Sequence, residues 1–185
     1  GLSPVKLGDR AVVVGCGAIG LLVIQTLKAA GCSMIIAMDV DEQKLQTAGR
    51  IGAAYTVNTK KENASDFVRA LTEGRGADLS FEAVGLQATF DTALQCTRKG
   101  GGVVLVGNIA GSVTFPLQKA VVSQIALYTS CASAGEYDIC LSLIASGQID
   151  VDSLISATGP LEMGNELLAR LHAGEPGLIK AELLP

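Results

Sequence analysis

The 185-residue sequence predicts an α/β fold in which helices pack on both faces of a doubly wound parallel sheet, giving three αβα layers. Short β-branched and apolar runs alternate with segments of helical period along the chain. These runs are continuously apolar, which is typical of strands buried on both faces. Parallel strands need right-handed crossovers, and these place helices on both sides of the sheet. We therefore expect a single domain over residues 1–185.

The first half of the chain predicts alternating strands and helices. The predicted strands are residues 11–14, 34–38, 55–57 and 79–82, and the predicted helices are residues 18–30, 41–50 and 65–73. Gly31 and Gly52 follow two of these helices at the position where glycine commonly ends a helix. Asp41 and Ser65 are predicted N-caps, because their side-chain oxygens can accept hydrogen bonds from the first helical N–H groups.

The second half of the chain continues the alternation. A helix is predicted at residues 87–96, a strand at 103–106 after three consecutive glycines, and a sixth strand at the apolar, β-branched residues 121–129. Further helices are predicted near residues 138–145 and 161–172, with a final short strand at 178–183. Alternating elements with short connections indicate a parallel sheet.

Composition argues against several classes of protein. With 14 basic and 18 acidic residues the net charge is −4, and without a basic run we expect no nucleic-acid partner. The uncharged and mostly apolar stretch at residues 11–27 contains three glycines and is too short for a membrane span, and no signal peptide is visible at the start. Five scattered cysteines and one histidine predict neither a disulfide framework nor a metal site within this chain, so we expect a cytoplasmic protein.

A glycine motif directly follows the first predicted strand. Gly15, Gly17 and Gly20 form a G-x-G-x-x-G pattern that opens a helix, with Ala18 and Ile19 inside it. Gly15 permits a tight turn, Gly17 lets a pyrophosphate approach the backbone, and Gly20 lets the helix pack closely. The helix N-terminus would present N–H groups to the phosphates. The motif, in this context, predicts a Rossmann-type dinucleotide site.

The second strand ends at an acidic residue, Asp39, which lies 19 residues after Gly20. A carboxylate at this position accepts hydrogen bonds from the adenosine ribose hydroxyls and repels a 2′-phosphate. The next residue, Val40, is not the arginine that an NADP site uses. The sequence therefore predicts NAD as the cofactor.

Several ordered segments resemble the cofactor domain of medium-chain, zinc-type alcohol dehydrogenases, and are most similar to the polyol, sorbitol and threonine dehydrogenase branch. The segments that carry the resemblance are residues 8–20, 52–53, 76–78, 81–85, 101–107 and 143–150. The resemblance implies an oxidoreductase that transfers hydride between an alcohol and NAD. It also implies that the family's N-terminal catalytic domain, with its zinc ligands and most of its substrate pocket, is absent from this chain.

The resemblance implies further binding residues. Lys44 matches a second contact to the adenosine ribose, and Ala83, Val84 and Gly85 match the segment along which the adenosine side passes. Val106, Gly107 and Asn108 match the main-chain segment that holds the nicotinamide carboxamide. The strand at residues 121–129 matches the edge through which family members form homodimers, and an apolar edge strand needs such a partner.

We therefore interpret the chain as an NAD-binding domain whose zinc and alcohol substrate would require the absent domain. No catalytic residue and no metal ligand is assigned within it, and we expect the isolated chain to bind NAD without turnover. Two alternatives stay open. One is a non-catalytic NAD-sensing regulatory domain, and the other is a zinc-free oxidoreductase of the quinone reductase kind.

Overall fold

The structure is a computed structural model that describes residues 3–133 and 135–185, and no helix within those residues is both long and apolar enough to cross a bilayer. The strands are β1 (Arg10–Val14), β2 (Met34–Asp39), β3 (Tyr55–Asn58), β4 (Ala77–Glu82), β5 (Thr97–Leu105), β6 (Ala126–Thr129), β7 (Ile155–Pro160) and β8 (Lys180–Leu184). The helices are α1 (Ala18–Ala29), α2 (Glu42–Ile51), α3 (Ala64–Leu71), α4 (Gln87–Cys96), α5 (Leu117–Ser123), α6 (Tyr137–Ala145) and α7 (Gly164–His172).

The main sheet has the strand order β3-β2-β1-β4-β5-β6, and every neighbouring pair is parallel. The chain winds outward from β1 in one direction through β2 and β3, and in the other through β4, β5 and β6. This doubly wound order confirms the predicted fold class. It also places a crevice at the carboxyl ends of β1 and β4, where the winding direction changes and where ligands bind in such sheets.

Each central strand contributes to two hydrophobic cores. Ala11 and Val13 of β1 pack in the core that contains the buried faces of α1 and α2. Val12 and Val14 pack in the opposite core, with the buried residues of α3 and α4. Because successive side chains of a strand point to opposite faces, both sets must be apolar. The uninterrupted apolar run in β1 is the consequence of this double burial.

The C-terminal part of the chain forms a second, two-stranded parallel sheet, β7-β8, against which α7 packs. Two sets of hydrogen bonds connect this C-terminal part to the main domain. The Gln25 amide donates to the Asp150 carbonyl at 2.9 Å and accepts from the Asp150 N–H at 2.6 Å. The Gly177 N–H donates to the Asp41 carboxylate at 3.0 Å. The second of these connections reaches the loop at the end of β2, beside the crevice.

The structure corrects the prediction of a strand over residues 121–129, because only Ala126–Thr129 is a strand and Val121 and Val122 lie in α5. This helix follows Pro116, whose carbonyl accepts from the Ala120 N–H at 3.1 Å. It ends at Gln124, which has a left-handed backbone with φ of 53°. The β-branched side chains remain exposed, so the turn geometry overrides their β-propensity here.

Smaller differences concern helix caps and strand ends. The cap of α3 is Asn63 rather than Ser65, because the Asn63 carboxamide oxygen accepts from the N–H groups of Ser65 and Asp66. The final strand begins at Lys180 rather than at residue 178, and β7 was not predicted. The predicted helix at 161–172 begins with a 3₁₀ turn, Leu161–Met163, before α7. The predicted cap Asp41 is confirmed.

Candidate functional site

A cleft of about 700 Å³ lies along the carboxyl ends of the central strands, within the size range of about 300–1,000 Å³ that is usual for small-molecule and cofactor sites. Most of the predicted binding residues line it. Those residues are Gly15, Gly17, Ile19, Asp39, Val40, Lys44, Ala83, Val84, Val106, Gly107 and Asn108. Three other predicted residues, Ala18, Gly20 and Gly85, are outside the lining. The structure thus brings together in one cleft segments that are far apart in the sequence.

The glycine loop connects β1 to α1 through a tight turn. Gly15 has a φ of +98°, a conformation that side chains disfavour, and its N–H donates to the Met38 carbonyl at 2.8 Å. Gly20 is buried one turn into α1, and a Cβ there would collide with the Gly15 carbonyl oxygen. Its absence therefore lets α1 press directly on the loop. Gly20 stays a predicted site residue that acts through packing.

Gly17 differs from Gly15 and Gly20, because among the described residues neither a close contact nor a positive φ requires glycine at this position. Its φ of −71° and ψ of −176° are extended backbone angles that most residues adopt, and a Cβ there would meet no atom within 4 Å. It is the N-cap of α1 and supplies no side-chain acceptor to the first turn. The first N–H groups of a helix have no intrahelical partner. This open helix N-terminus is suited to an anion that approaches the backbone closely.

The Asp39 carboxylate holds the loops on both sides of the cleft's entrance. One oxygen accepts from the Cys16 N–H at 2.6 Å, and the other accepts from the N–H groups of Val40 and Asp41 at 2.7 and 3.0 Å. A carboxylate has about four lone-pair sites, so acceptor capacity remains for a ligand hydroxyl. Asp39 thus both organises the glycine loop and presents negative charge to the cleft.

Cys16 is a packing residue despite its place in the glycine loop. Its side chain is fully buried, and the thiol donates to the Met38 carbonyl at 3.6 Å. Burial raises the pKa of the Cys16 thiol strongly, and the nearby Asp39 carboxylate raises it further. The thiol is therefore uncharged at neutral pH and is not a nucleophile.

The other end of the cleft is formed by the residues that follow β4 and β5. The N–H groups of Val106 and Gly107 donate to the Glu82 carbonyl at 2.8 and 2.9 Å, which joins the two strand ends. Ala83 and Val84 lie between this end and the glycine loop, and Val84 Cγ2 lies against Gly15. Gly85 packs behind the surface, against the backbone of Asn108.

Sequence reasoning missed part of the cleft lining. The missed residues are Val14, Met38, Thr59, Leu86, Ala88, Thr89, Thr92 and Ile109. Thr59 directly follows β3, so the rule that carboxyl ends of parallel strands share an edge could have identified it. Thr89 and Thr92 lie one turn apart on α4, and the sequence contains no signal for which face of that helix borders the cleft.

The histidine of the chain lies outside the cleft. His172 ends α7, is exposed, and is not among the residues that line the cleft. Among residues 3–133 and 135–185, no three His, Cys, Asp or Glu side chains come together in a group that could hold a metal ion. The groups that this cleft offers to a ligand include backbone N–H groups, the Asp39 carboxylate and Lys44, and such groups suit an anionic, hydroxylated ligand.

Comparisons with known proteins agree with this arrangement. Residues 18–146 match the model of the family described as zinc-binding dehydrogenase. Sorbitol dehydrogenase from Gallus gallus is 30% identical over 173 residues, which are 92% of this chain and 49% of that protein. The chain thus spans about half the length of the curated relatives that it matches.

Solved structures show the same fold. Alcohol dehydrogenase TADH from Thermus sp. ATN1 is 33% identical with a TM-score of 0.87, over 97% of this chain and 52% of that one. A structure described as a zinc-binding dehydrogenase from Sinorhizobium meliloti 1021, bound to NADP, is 24% identical with a TM-score of 0.82, over 91% of this chain and 50% of that one. The likeness to this second structure concerns the fold alone.

Proposed function

The chain belongs to the zinc-binding dehydrogenase family, and we propose that residues 1–185 are the NAD-binding domain of an alcohol or polyol dehydrogenase. The observation that carries the proposal is the pairing of Gly17, where among the described residues neither a close contact nor a positive φ requires glycine, with the Asp39 carboxylate in one cleft. The rival functions, an NAD-sensing regulatory domain and a quinone reductase, are less favoured because the relatives include sorbitol dehydrogenase and alcohol dehydrogenases.

The residues present fit a dinucleotide. The pyrophosphate would lie against Gly17 at the open N-terminus of α1, where a Cβ would fill the space that it needs. Gly15 and Gly20 shape the turn, and Ala18 and Ile19 supply the first helical N–H groups. Asp39 and Lys44 would bind the adenosine ribose, beside Val40. Ala83 and Val84 would border the adenosine side, and Gly85 would support this segment from behind the cleft surface.

The nicotinamide would lie at the other end, where the main chain of Val106, Gly107 and Asn108 would hold its carboxamide. When bound, NAD supplies the hydride acceptor for alcohol oxidation. The proposed contribution of this chain is to bind and orient the cofactor, and no proton-transfer role is proposed for a side chain of the cleft. The apolar lining at this end, which includes Val106 and Ile109, would exclude water from the ring.

The zinc and the alcohol substrate belong to the proposal for the whole enzyme. The chain spans about half the length of its relatives, and we propose that the remaining half supplies the catalytic zinc and the substrate pocket. The side chains described here do not fit a zinc site, so none of their proposed roles depends on the metal. We also propose a cytoplasmic location, which the free thiols of the described cysteines support and cell fractionation would check.

The cofactor choice is tested by titrating the chain with NAD and NADP in a calorimeter. We expect NAD to bind at least about tenfold more tightly, because the Asp39 carboxylate and a 2′-phosphate repel each other at the ribose. Asp39→Ala is expected to remove this preference. It is also expected to weaken the binding of both cofactors, because the Cys16 N–H loses its acceptor. Added alcohol is expected to produce no NADH.

The control is Asp66→Ala, which removes an exposed carboxylate from the first turn of α3 and leaves the cleft intact. This variant is expected to keep the preference for NAD. Equal affinities of the wild type for NAD and NADP would contradict the role of Asp39. Failure of the wild type to bind either cofactor would overturn the proposed function itself.

We also propose that two copies of the chain pair through the outer edge of β6. Within the described residues, β6 has one sheet neighbour, β5, and Val121 and Val122 of the preceding helix are exposed. The Ser130 N–H donates inward to the Leu105 carbonyl, so the N–H of Leu127, three positions earlier, points to the outer edge. An unpaired edge of this kind is a template for a second strand.

Sedimentation velocity tests the dimer. We expect the wild type to sediment as a dimer at micromolar concentration and Leu127→Pro to sediment as a monomer, because proline removes the outward N–H while the inward bonds stay. Circular dichroism of the variant should match that of the wild type. A wild type that is monomeric at all concentrations would exclude this mode of pairing.

A further inference from the structure

The last residue of β4, Glu82, is a buried carboxylate whose function the cleft lining does not explain. It is 1% exposed, in a strand whose other inward side chains are mostly apolar. Burying a carboxylate is costly unless it accepts hydrogen bonds. A small pocket of about 120 Å³ borders it, and Phe90 and Leu105, which also line this pocket, offer it no polar partner.

The partners of Glu82 are two backbone N–H groups of the turn that follows it. Oε1 accepts from the N–H of Val84 at 2.9 Å and from that of Gly85 at 2.8 Å, while Oε2 accepts from Gly85 at 3.0 Å. The carboxylate therefore folds the turn back over the end of its own strand. This local closure of a chain by an acidic side chain resembles a helix cap, but here no helix follows until Gln87.

The closed turn is the support for the opposite loop. Gly85 lies so close to the backbone of Asn108 and Ile109 that a Cβ on it would collide with both N–H groups, and a Cβ on Gly107 would collide with Gly85 and Val84. The Ala110 N–H donates to the Gly85 carbonyl at 2.8 Å. The position of residues 106–108 thus depends on the position of Gly85, which Glu82 determines.

We propose that Glu82 is a positioning residue for the nicotinamide half of the cofactor site. It does not line the main cleft, and it acts by holding Val84 and Gly85 so that the 106–108 segment presents its main chain in one conformation. This inference rests on the proposed function, because it assigns that segment to the nicotinamide. It predicts a larger effect on the nicotinamide half of the dinucleotide than on the adenosine half.

The test compares NADH with ADP-ribose, which contains the adenosine, pyrophosphate and second ribose but no nicotinamide. Affinities are measured by calorimetry for the wild type, Glu82→Gln and Glu82→Leu. We expect Glu82→Leu to weaken NADH binding at least about tenfold and ADP-ribose binding less than about threefold. Glu82→Gln is expected to lose less NADH affinity than Glu82→Leu, because its amide oxygen at the Oε1 position can accept both hydrogen bonds, although the NH2 group at the Oε2 position cannot accept from Gly85.

The matched control is Thr72→Val. Thr72 is also 1% exposed, and its hydroxyl accepts from the Gly76 N–H at 2.8 Å at the opposite end of β4, so the variant loses a comparable buried bond away from the cleft. We expect it to lower thermal stability and to leave both affinities unchanged. Equal losses for NADH and ADP-ribose in Glu82→Leu, or no loss for either, would overturn the proposal. A wild type that binds ADP-ribose but not NADH would overturn it as well, whereas a wild type that binds neither ligand would refute the proposed function instead.

Discussion

Replacing Gly17 with alanine is expected to weaken NADH binding at least about tenfold, and replacing it with valine at least about a hundredfold. The reason is steric, because the Cβ would occupy the space through which a pyrophosphate reaches the N-terminus of α1. Calorimetry or quenching of NADH fluorescence measures the loss. The folded chain should tolerate the alanine, because its Cβ meets no atom within 4 Å and the backbone angles suit an L residue.

The melting temperature separates this effect from unfolding. Gly17→Ala is expected to melt within a few degrees of the wild-type temperature, since alanine restricts the unfolded chain but is a poorer N-cap of α1 than glycine. Gly49→Ala is the matched control, because Gly49 lies on α2 with its nearest neighbour atom, Thr56 Cγ2, at 3.9 Å from the added Cβ. It is expected to leave NADH affinity unchanged. If Gly17→Val bound NADH as tightly as the wild type, the proposed position of the pyrophosphate at the N-terminus of α1 would be wrong.

Gly20→Ala is expected to differ from Gly17→Ala, because its main effect is a large loss of folding stability. In an ordinary helix this change stabilises by up to about 1 kcal/mol. Here the Cβ would meet the Gly15 carbonyl oxygen, and Gly15 cannot retreat because its N–H is bonded to Met38 and Val84 packs against it. Overpacking of this kind costs about 1–3 kcal/mol or more. For a chain of this length, we expect the melting temperature to fall by about 2–12 °C.

Thermal unfolding followed by circular dichroism measures the change. Gly49→Ala again serves as the control, and it should melt higher than the wild type because α2 gains helix propensity without a clash. The two substitutions are chemically identical and differ only in what the new methyl group meets. A Gly20→Ala variant as stable as Gly49→Ala would show that α1 can move away from the loop.

The fold was predictable because double burial leaves a strong pattern in the sequence. β1 and β2 are uninterrupted apolar runs, and α1 and α2 end near Gly31 and Gly52 as expected. Prediction from this pattern fails for elements that bury few side chains. The helix α5 buries only Ala120 among its residues, so its β-branched side chains gave a false strand. β7 has a single large apolar residue, Ile155, and ends in Gly159 and Pro160, so its strand signal in the sequence is weak.

The candidate site was predictable where a residue's chemistry follows from its place at a strand end, as for Gly17 and Asp39. Contacts made by the backbone are invisible in a sequence. That Asp39 accepts the Cys16 N–H, or that Gly85 supports Asn108, depends on how two loops meet in space. The sequence shows that residue 82 is a glutamate, but it does not show that Glu82 links the ends of β4 and β5.

Under the proposed function, the double role of Asp39 constrains how the cofactor can be changed in evolution or in the laboratory. A substitution that removes the carboxylate to admit a 2′-phosphate also removes the acceptor of the Cys16 N–H, and with it a support of the loop that both cofactors need. The path from one cofactor to the other thus passes through a variant that binds neither well. A successful switch needs a neutral acceptor such as serine or asparagine at this position, together with a new cation nearby.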